Sequence, residues 1–231
     1  TVAGGARQYV EKIVARVPDR RLNCPVERIE RDDNGVRLTS GGRTERFDAV
    51  ILACHSDQAL AMLGDQASEG EREALGAVRY QPNRAVLHTD ATVLPQRQAA
   101  WAAWNYEAGH SADEPRVCLH YLINRLQPLP VDTPVIVSLN PQRPIDPARV
   151  IGEYDYAHPV FDLAAIRAQQ RMPDLQGRQR TWYAGAWMGY GFHEDGLKAG
   201  LRAAHELMME FGLRADPAAR HAPTPKGEVA A

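Results

Sequence analysis

The residues with most chemical character lie between Thr181 and Phe211. Gly189-Tyr190-Gly191 separates a short strand-like stretch, Thr181 to Ala186, from a helix-patterned stretch, Gly196 to Phe211. In the helix, Leu197, Leu201, Ala204, Leu207, Met208 and Phe211 recur on one side, which is expected to face the core. Strand, glycine turn and helix in that order suggest a dinucleotide phosphate cradle, but two features argue against it. Glu194 stands where the phosphate fingerprint needs Gly or Ala, and no second parallel strand with an acidic end follows the helix. A flat anionic ligand suits the segment better. The two glycines let backbone come close to such a ligand, and a helix beginning near Asp195-Gly196 aims unpaired N–H groups and its positive dipole end at it. A reduced flavin, negative at N1 and the C2 carbonyl, fits that description.

The surrounding side chains have functional and bland readings. The His193 imidazole could act as an acid or base, with Tyr190 as a second candidate at the reacting centre; the bland reading of His193 is a loop histidine at the helix start. Tyr190 and Trp187 could line a flavin ring or simply pack at the sheet end. Trp101, Trp104 and Tyr106 could wall an apolar substrate, although core of a sheet is the stronger reading of their pattern. His55 reads as a helix N-cap. Glu194 and Asp195 read as negative charge in the first helical turn, and no metal ligand is assigned.

The elements that must position these residues form a mixed α/β pattern. An amphipathic helix is expected over Arg7 to Val17, ended by Pro18. Val26 to Arg31, Val36 to Thr39 and Arg43 to Phe47, with Asp33-Asn34-Gly35 between the first two, read as a three-stranded antiparallel meander. Asp48 to Ala53 is a continuous apolar run, as in a strand buried on both faces of a parallel sheet. Short helices follow at His55 to Leu63 and Glu69 to Val78. Ala85 to Thr89, Ala100 to Tyr106, Val117 to Ile123 and Val135 to Leu139 are strand-like, with Arg149 to Tyr156 returning the chain. The expected organisation is a first domain in two pieces, 1–79 and 161–213, an inserted antiparallel sheet at 80–160, and a disordered tail at 214–231.

Composition narrows the function classes. With 27 Lys plus Arg against 29 Asp plus Glu, no strong field attracts a polyanion, so nucleic acid is not expected as a partner. Cys24, Cys54 and Cys118 form no C-x-x-C pair, which argues against a structural zinc site or a disulfide framework and favours a reducing, cytoplasmic setting. No apolar run reaches the roughly 20 residues of a membrane span. The chain opens at Thr1-Val2, so a targeting segment could precede it.

The stretch Tyr183-Ala184-Gly185-Ala186-Trp187-Met188-Gly189-Tyr190-Gly191-Phe192-His193-Glu194-Asp195-Gly196-Leu197-Lys198-Ala199-Gly200 resembles the C-terminal flavin-binding motif of the flavin-containing amine oxidase and phytoene desaturase superfamily. It is most similar to a bacterial branch of NAD/FAD-binding, FAD-dependent oxidoreductases. Pro25-Val26-Glu27-Arg28-Ile29 resembles the family segment that meets the adenine end of FAD through Val26, and Asp48 to Ala53 the strand leading to a loop near the cofactor. Tyr80-Gln81-Pro82-Asn83-Arg84 and Ala157-His158-Pro159-Val160-Phe161 are also typical of the branch.

The resemblance implies FAD as cofactor, a Rossmann-like domain with an inserted substrate-binding sheet, and oxidation, desaturation or isomerisation of a small apolar or amine substrate. Cofactor contacts are implied at Val26, Ala53, Gly185, Ala186, Gly189, Tyr190, Gly191, Glu194, Asp195, Gly196 and Leu197. There are two departures. Gly185-Ala186 replaces the Gly-Asp or Gly-Glu whose carboxylate holds a ribityl hydroxyl in many relatives, and the N-terminal Gly-x-Gly-x-x-Gly unit that binds the pyrophosphate is not in this sequence. The chain alone is therefore expected to bind FAD weakly or not at all and to self-associate through open strand edges unless an N-terminal half is supplied. The reading from a different class is a non-catalytic ligand- or partner-binding module derived from such an enzyme.

Overall fold

A computed structural model of the chain describes residues 2, 4–107 and 118–213; the expectations for Val117 and for 214–231 lie outside them. The chain divides into two compact units. One comprises Tyr9–Tyr80 and the chain from Pro159, the other Gln81–His158 with the N-terminal residues up to Gln8. The helix α1 (Arg7–Val14) is shorter than expected and buries no residue, leaving Tyr9, Val10 and Ile13 exposed.

In the first unit the meander is β1 (Arg28–Asp32), β2 (Gly35–Ser40) and β3 (Arg43–Phe47), antiparallel throughout. Its first turn is held by the Asn34 N–H donating to Asp32 Oδ1 at 2.8 Å. Gly35 follows at φ +154°, where a Cβ would sit 2.5 Å from the Phe47 carbonyl oxygen, so no larger residue fits. The strand β4 (Val50–Leu52) pairs in parallel with β10 (Thr181–Tyr183), Ile51 opposite Trp182.

Burial on both faces explains the apolar runs of this pair. Tyr183 joins a core with Ile29, Val36, Leu63, Leu75, Met172 and Leu175, while Trp182 packs with Ala199 and Ala203. The first core is roofed by α2 (Ser56–Leu63), α3 (Glu69–Gly76) and α5 (Leu163–Leu175), and the second by α6 (His193–Glu210).

Three expectations are corrected here. First, α5 was not expected; its buried side is Ala165, Ala168, Met172 and Leu175, a stripe weak in bulk and interrupted by Pro173. Second, α6 begins at His193 rather than near Asp195-Gly196. Third, Leu197 and Leu201 do not face the core but are exposed; the buried residues of the helix are the small Ala199 and Ala203, which admit the Trp182 ring.

A buried polar knot fixes β10. Glu71 accepts from Arg31 Nη1 at 2.6 Å and Nη2 at 2.9 Å, from the Tyr183 hydroxyl at 2.6 Å and from the Ser68 N–H at 2.7 Å. Burial alone would raise the Glu71 carboxyl, but Arg31, Tyr183 and Ser68 overcome it and hold the group at about 2. The Tyr183 hydroxyl is pushed up, by burial first and then by its bond to the Glu71 carboxylate. The outer edge of β10 is closed without a strand: Gln176 bonds both the Tyr183 N–H (2.8 Å) and carbonyl (2.9 Å), and the Gly177 N–H donates to the Thr181 carbonyl at 3.0 Å. The expected open edge is therefore absent on this side. The outer edge of β4 has no strand partner among the described residues.

The second unit is a five-stranded sheet in the order β6 (Trp104–Glu107), β7 (Cys118–Leu122), β8 (Ile136–Leu139), β5 (Arg79–His88), β9 (Val150–Val160), with the single turn α4 (Ile123–Leu126) between β7 and β8. The pairs β6–β7, β7–β8 and β8–β5 are antiparallel. The strand expected from Ala100 begins at Trp104, because 98–100 form a 3-10 turn. No helix among the described residues is long and apolar enough to cross a membrane.

Candidate functional site

The carboxyl ends of β4 and β10 lie side by side, because the Ala184 N–H donates to the Leu52 carbonyl at 3.0 Å just past the last paired residues. Carboxyl ends of parallel strands are where ligands bind in open α/β sheets. Beyond them Ala53 is exposed, and Trp187 folds back to donate its Nε1–H to the Cys54 carbonyl at 3.0 Å. The indole covers Gly185 so closely that a Cβ there would lie 2.4 Å from Nε1. Gly185 is thus required by Trp187, not by room left for a ligand. The same holds at Gly189, where a Cβ would meet the Asp195 carboxyl at 2.6 Å. Gly191 is needed for its backbone, at φ +88°.

The turn itself is compact. Residues 186–188 form a 3-10 turn, and the Ala186 carbonyl accepts from both Gly189 and Gly191 at 3.1 and 3.0 Å. Asp195, third residue of α6, reaches back to accept from the N–H groups of Tyr190 (3.1 Å) and Phe192 (3.0 Å). Its carboxylate therefore organises the loop, alongside the dipole role expected for it. The N-cap is Phe192, whose side chain offers no acceptor, so the N–H groups opening α6 receive no side-chain cap from it. Glu194 pairs on the surface with Lys198 at 3.3 Å. Around this helix start Tyr190, Phe192, His193 and Leu197 are exposed. The structure thus brings Ala53, Gly185, Ala186, Gly189, Gly191, Asp195 and Gly196 together, with Tyr190, His193, Glu194 and Leu197 on their open side. Val26 lies elsewhere, on the meander, packed against the first core. His55 does open α2, its N–H donating to Gln58 Oε1 at 3.3 Å, and its ring stacks on Tyr80 at 4.3 Å.

The model of the family described as flavin containing amine oxidoreductase matches residues 1–115. The matched stretch, just under half of the chain, is similar to this family. Among solved structures, it resembles a CLA-producing fatty acid isomerase from P. acnes at 17% identity and TM-score 0.60, over 91% of this chain and 53% of that one. It also resembles a cyclohexylamine oxidase from Brevibacterium oxydans at 16% identity and TM-score 0.53, over 81% and 48% of the respective chains. A putrescine oxidase bound to putrescine matches at 14% identity and TM-score 0.57, over 89% and 53%. At these identities the likeness is one of fold, and the chain spans about half the length of the structures it matches. A comparison with curated proteins gives no match.

The residues present fit one end of the flavin cofactor that the description of the matching family names. An uncapped helix start, the exposed Ala53 just past β4 and an exposed aromatic residue suit the flat, anion-forming isoalloxazine. The neighbouring cleft, lined by Gln169, Met188, Gly189, Asp195 and Lys198 among others, measures ≈ 160 Å³. That is below the roughly 300–1,000 Å³ of ordinary ligand pockets, so the whole of FAD needs more walls than this cleft provides.

The five-stranded sheet carries a feature that the sequence pattern concealed. Register places Trp104 opposite Tyr121, Tyr121 opposite Val137 and Val137 opposite Leu87; likewise Tyr106, Leu119, Leu139 and Ala85 run in line. Directly paired residues share a face, so one side of the sheet is a continuous apolar surface. Trp104 and Tyr106 are 56% and 67% exposed on it, which corrects their assignment as core. Trp101 alone is core-like, packed against Val93, Leu94, Leu122 and Ile136 with its Nε1–H donating to the Pro95 carbonyl at 2.8 Å. Tyr121, Leu119 and Val137 were missed as candidates, since each strand alone shows only two or three apolar positions.

Proposed function

We propose that this chain is the C-terminal portion of an FAD-dependent oxidoreductase acting on an apolar or amine substrate by oxidation, desaturation or isomerisation. The observation that carries the reading is the meeting of the β4 and β10 carboxyl ends with the uncapped start of α6, across a loop tied down by Asp195. FAD supplies electron or hydride acceptance when bound. The N–H groups at the α6 start then offset negative charge on the ring, Asp195 keeps the loop rigid, and Tyr190 and Phe192 exclude water. His193, exposed beside them, is the side chain placed to move a proton. The apolar sheet face with Trp104 and Tyr106 is the substrate-binding surface; the names of structures that share the fold, a fatty acid isomerase and amine oxidases, support the two substrate classes.

The pyrophosphate half of FAD requires an N-terminal nucleotide-binding segment, whose strands would pair at the unpartnered edge of β4. Free thiols at Cys24, Cys54 and Cys118 suit a reducing, cytoplasmic setting. The test is flavin absorbance after the chain is co-folded with a polypeptide carrying a strand-Gly-x-Gly-x-x-Gly-helix unit from such a segment. One flavin per complex is the expected result. A well-folded complex that stays colourless would point instead to a binding module without redox chemistry.

A further inference from the structure

The covered face of the five-stranded sheet carries a polar cluster beside its buried apolar residues Val86, Leu122 and Ile136. Glu107 and Cys118 are directly opposed across β6 and β7, and His120, two residues along, falls on the same side. Cys118 and His120 are buried, and Glu107 is half-buried. Their donor atoms converge: His120 Nε2 lies 3.1 Å from Glu107 Oε2, Cys118 Sγ 3.5 Å from His120 Nε2, and Cys118 Sγ 3.8 Å from Glu107 Oε2.

We propose that Glu107, Cys118 and His120 form a binding site for a thiophilic divalent cation of the zinc class, with one coordination position left open. Ordinary zinc bond lengths and tetrahedral angles require separations of about 3.3 Å between nitrogen and oxygen and about 3.5 Å between sulfur and either. Each observed separation lies close to its required value, so an ion enters without moving backbone. The donor set is selective: thiolate and imidazole suit zinc and exclude magnesium and calcium, which take oxygen ligands. Two anionic ligands balance the dication. The other carboxylate oxygen, Glu107 Oε1, is held by Arg143 Nε at 3.0 Å, which fixes the carboxylate while leaving Oε2 to the ion.

A hydrogen-bonded chain fixes the orientation of the His120 ring. The Asp90 N–H donates to His88 Nδ1 at 3.1 Å, so the His88 proton is on Nε2 and is donated to Ser138 Oγ at 2.7 Å. The Ser138 hydroxyl then donates to His120 Nδ1 at 2.6 Å, which puts the His120 proton on Nε2, toward Glu107. His88, Ser138 and His120 are at most 1% exposed, so the chain is sealed from solvent. On entry of the ion the Cys118 thiol gives one proton to solvent. Coordination through His120 Nε2 requires the ring proton to leave that nitrogen for Nδ1, which displaces the Ser138 hydroxyl from it and sets a cost on ion entry.

The test is addition of cobalt(II), a spectroscopic stand-in for zinc, to the purified chain. One cobalt per chain is expected, with a sulfur-to-cobalt charge-transfer band in the near ultraviolet that zinc abolishes by displacement. Cys118→Ser should remove the band, while Cys24→Ser and Cys54→Ser keep it. Folded wild-type chain showing no charge-transfer band at saturating cobalt, or a band that survives Cys118→Ser, would overturn the proposal and leave the three side chains as a hydrogen-bonded cluster.

Discussion

Replacing Glu71 by Gln is the sharpest test of how β10 is held. The side chain keeps its size, but its charge is lost and one acceptor oxygen becomes a donor. In the structure Oε1 receives Arg31 Nη1 and the Tyr183 hydroxyl, and Oε2 receives Arg31 Nη2 and the Ser68 N–H, so an amide NH₂ at either position faces donors only. Arg31, with a side chain 1% exposed and Nε already without a partner, is left as an uncompensated buried charge. Breaking such a pair from one side costs about 3–5 kcal/mol. The lowered carboxyl is in keeping with this: a group held at about 2 instead of its usual 4.5 corresponds to roughly 3 kcal/mol. We expect Glu71→Gln to lower unfolding stability by about 3 kcal/mol in urea at neutral pH, a fall in Tm of roughly 6–12 °C. Because the folded value lies below the unfolded one, this stabilisation is complete above pH 4.5 and disappears as pH falls toward 2. Wild type and variant should therefore converge in that window. A loss below 1 kcal/mol at neutral pH, or a difference independent of pH between 5 and 2, would refute the reasoning.

Gly185→Ala should expel the Trp187 indole and break its bond to Cys54, lowering stability by roughly 1–3 kcal/mol and shifting tryptophan fluorescence. Asp195→Ala, read by thermal melting, should cost about 1 kcal/mol by freeing the Tyr190 and Phe192 N–H groups, and should weaken flavin binding in the reconstituted enzyme. Trp104→Ala with Tyr106→Ala should leave Tm within about 2 °C, since both side chains are exposed, yet raise KM for an apolar substrate several-fold.

The sequence was most legible where the backbone needs unusual residues or where burial is two-sided. Asn34-Gly35 marked the meander because a tight turn demands positive φ, and the apolar run at Val50 marked a strand covered on both faces. It was least legible where small residues do the packing. Ala165 and Ala168 give α5 almost no amphipathic signal, and Ala199 and Ala203 let α6 pack on Trp182 while its larger Leu197 and Leu201 stay exposed. At the candidate site, the glycines were visible but their cause was not. Gly185 and Gly189 make room for Trp187 and Asp195, side chains of the chain itself. The apolar sheet face and the Glu107, Cys118, His120 cluster depend on cross-strand register, which no single strand reveals.

The proposed function puts a flavin ring against the loop from Gly185 to Gly191 and the start of α6. Amide hydrogen exchange on the enzyme reconstituted with an N-terminal nucleotide-binding segment, with and without FAD, tests it directly. FAD is expected to slow exchange at residues 185–197. Flavin retained at full occupancy with exchange across 185–197 unchanged would contradict it.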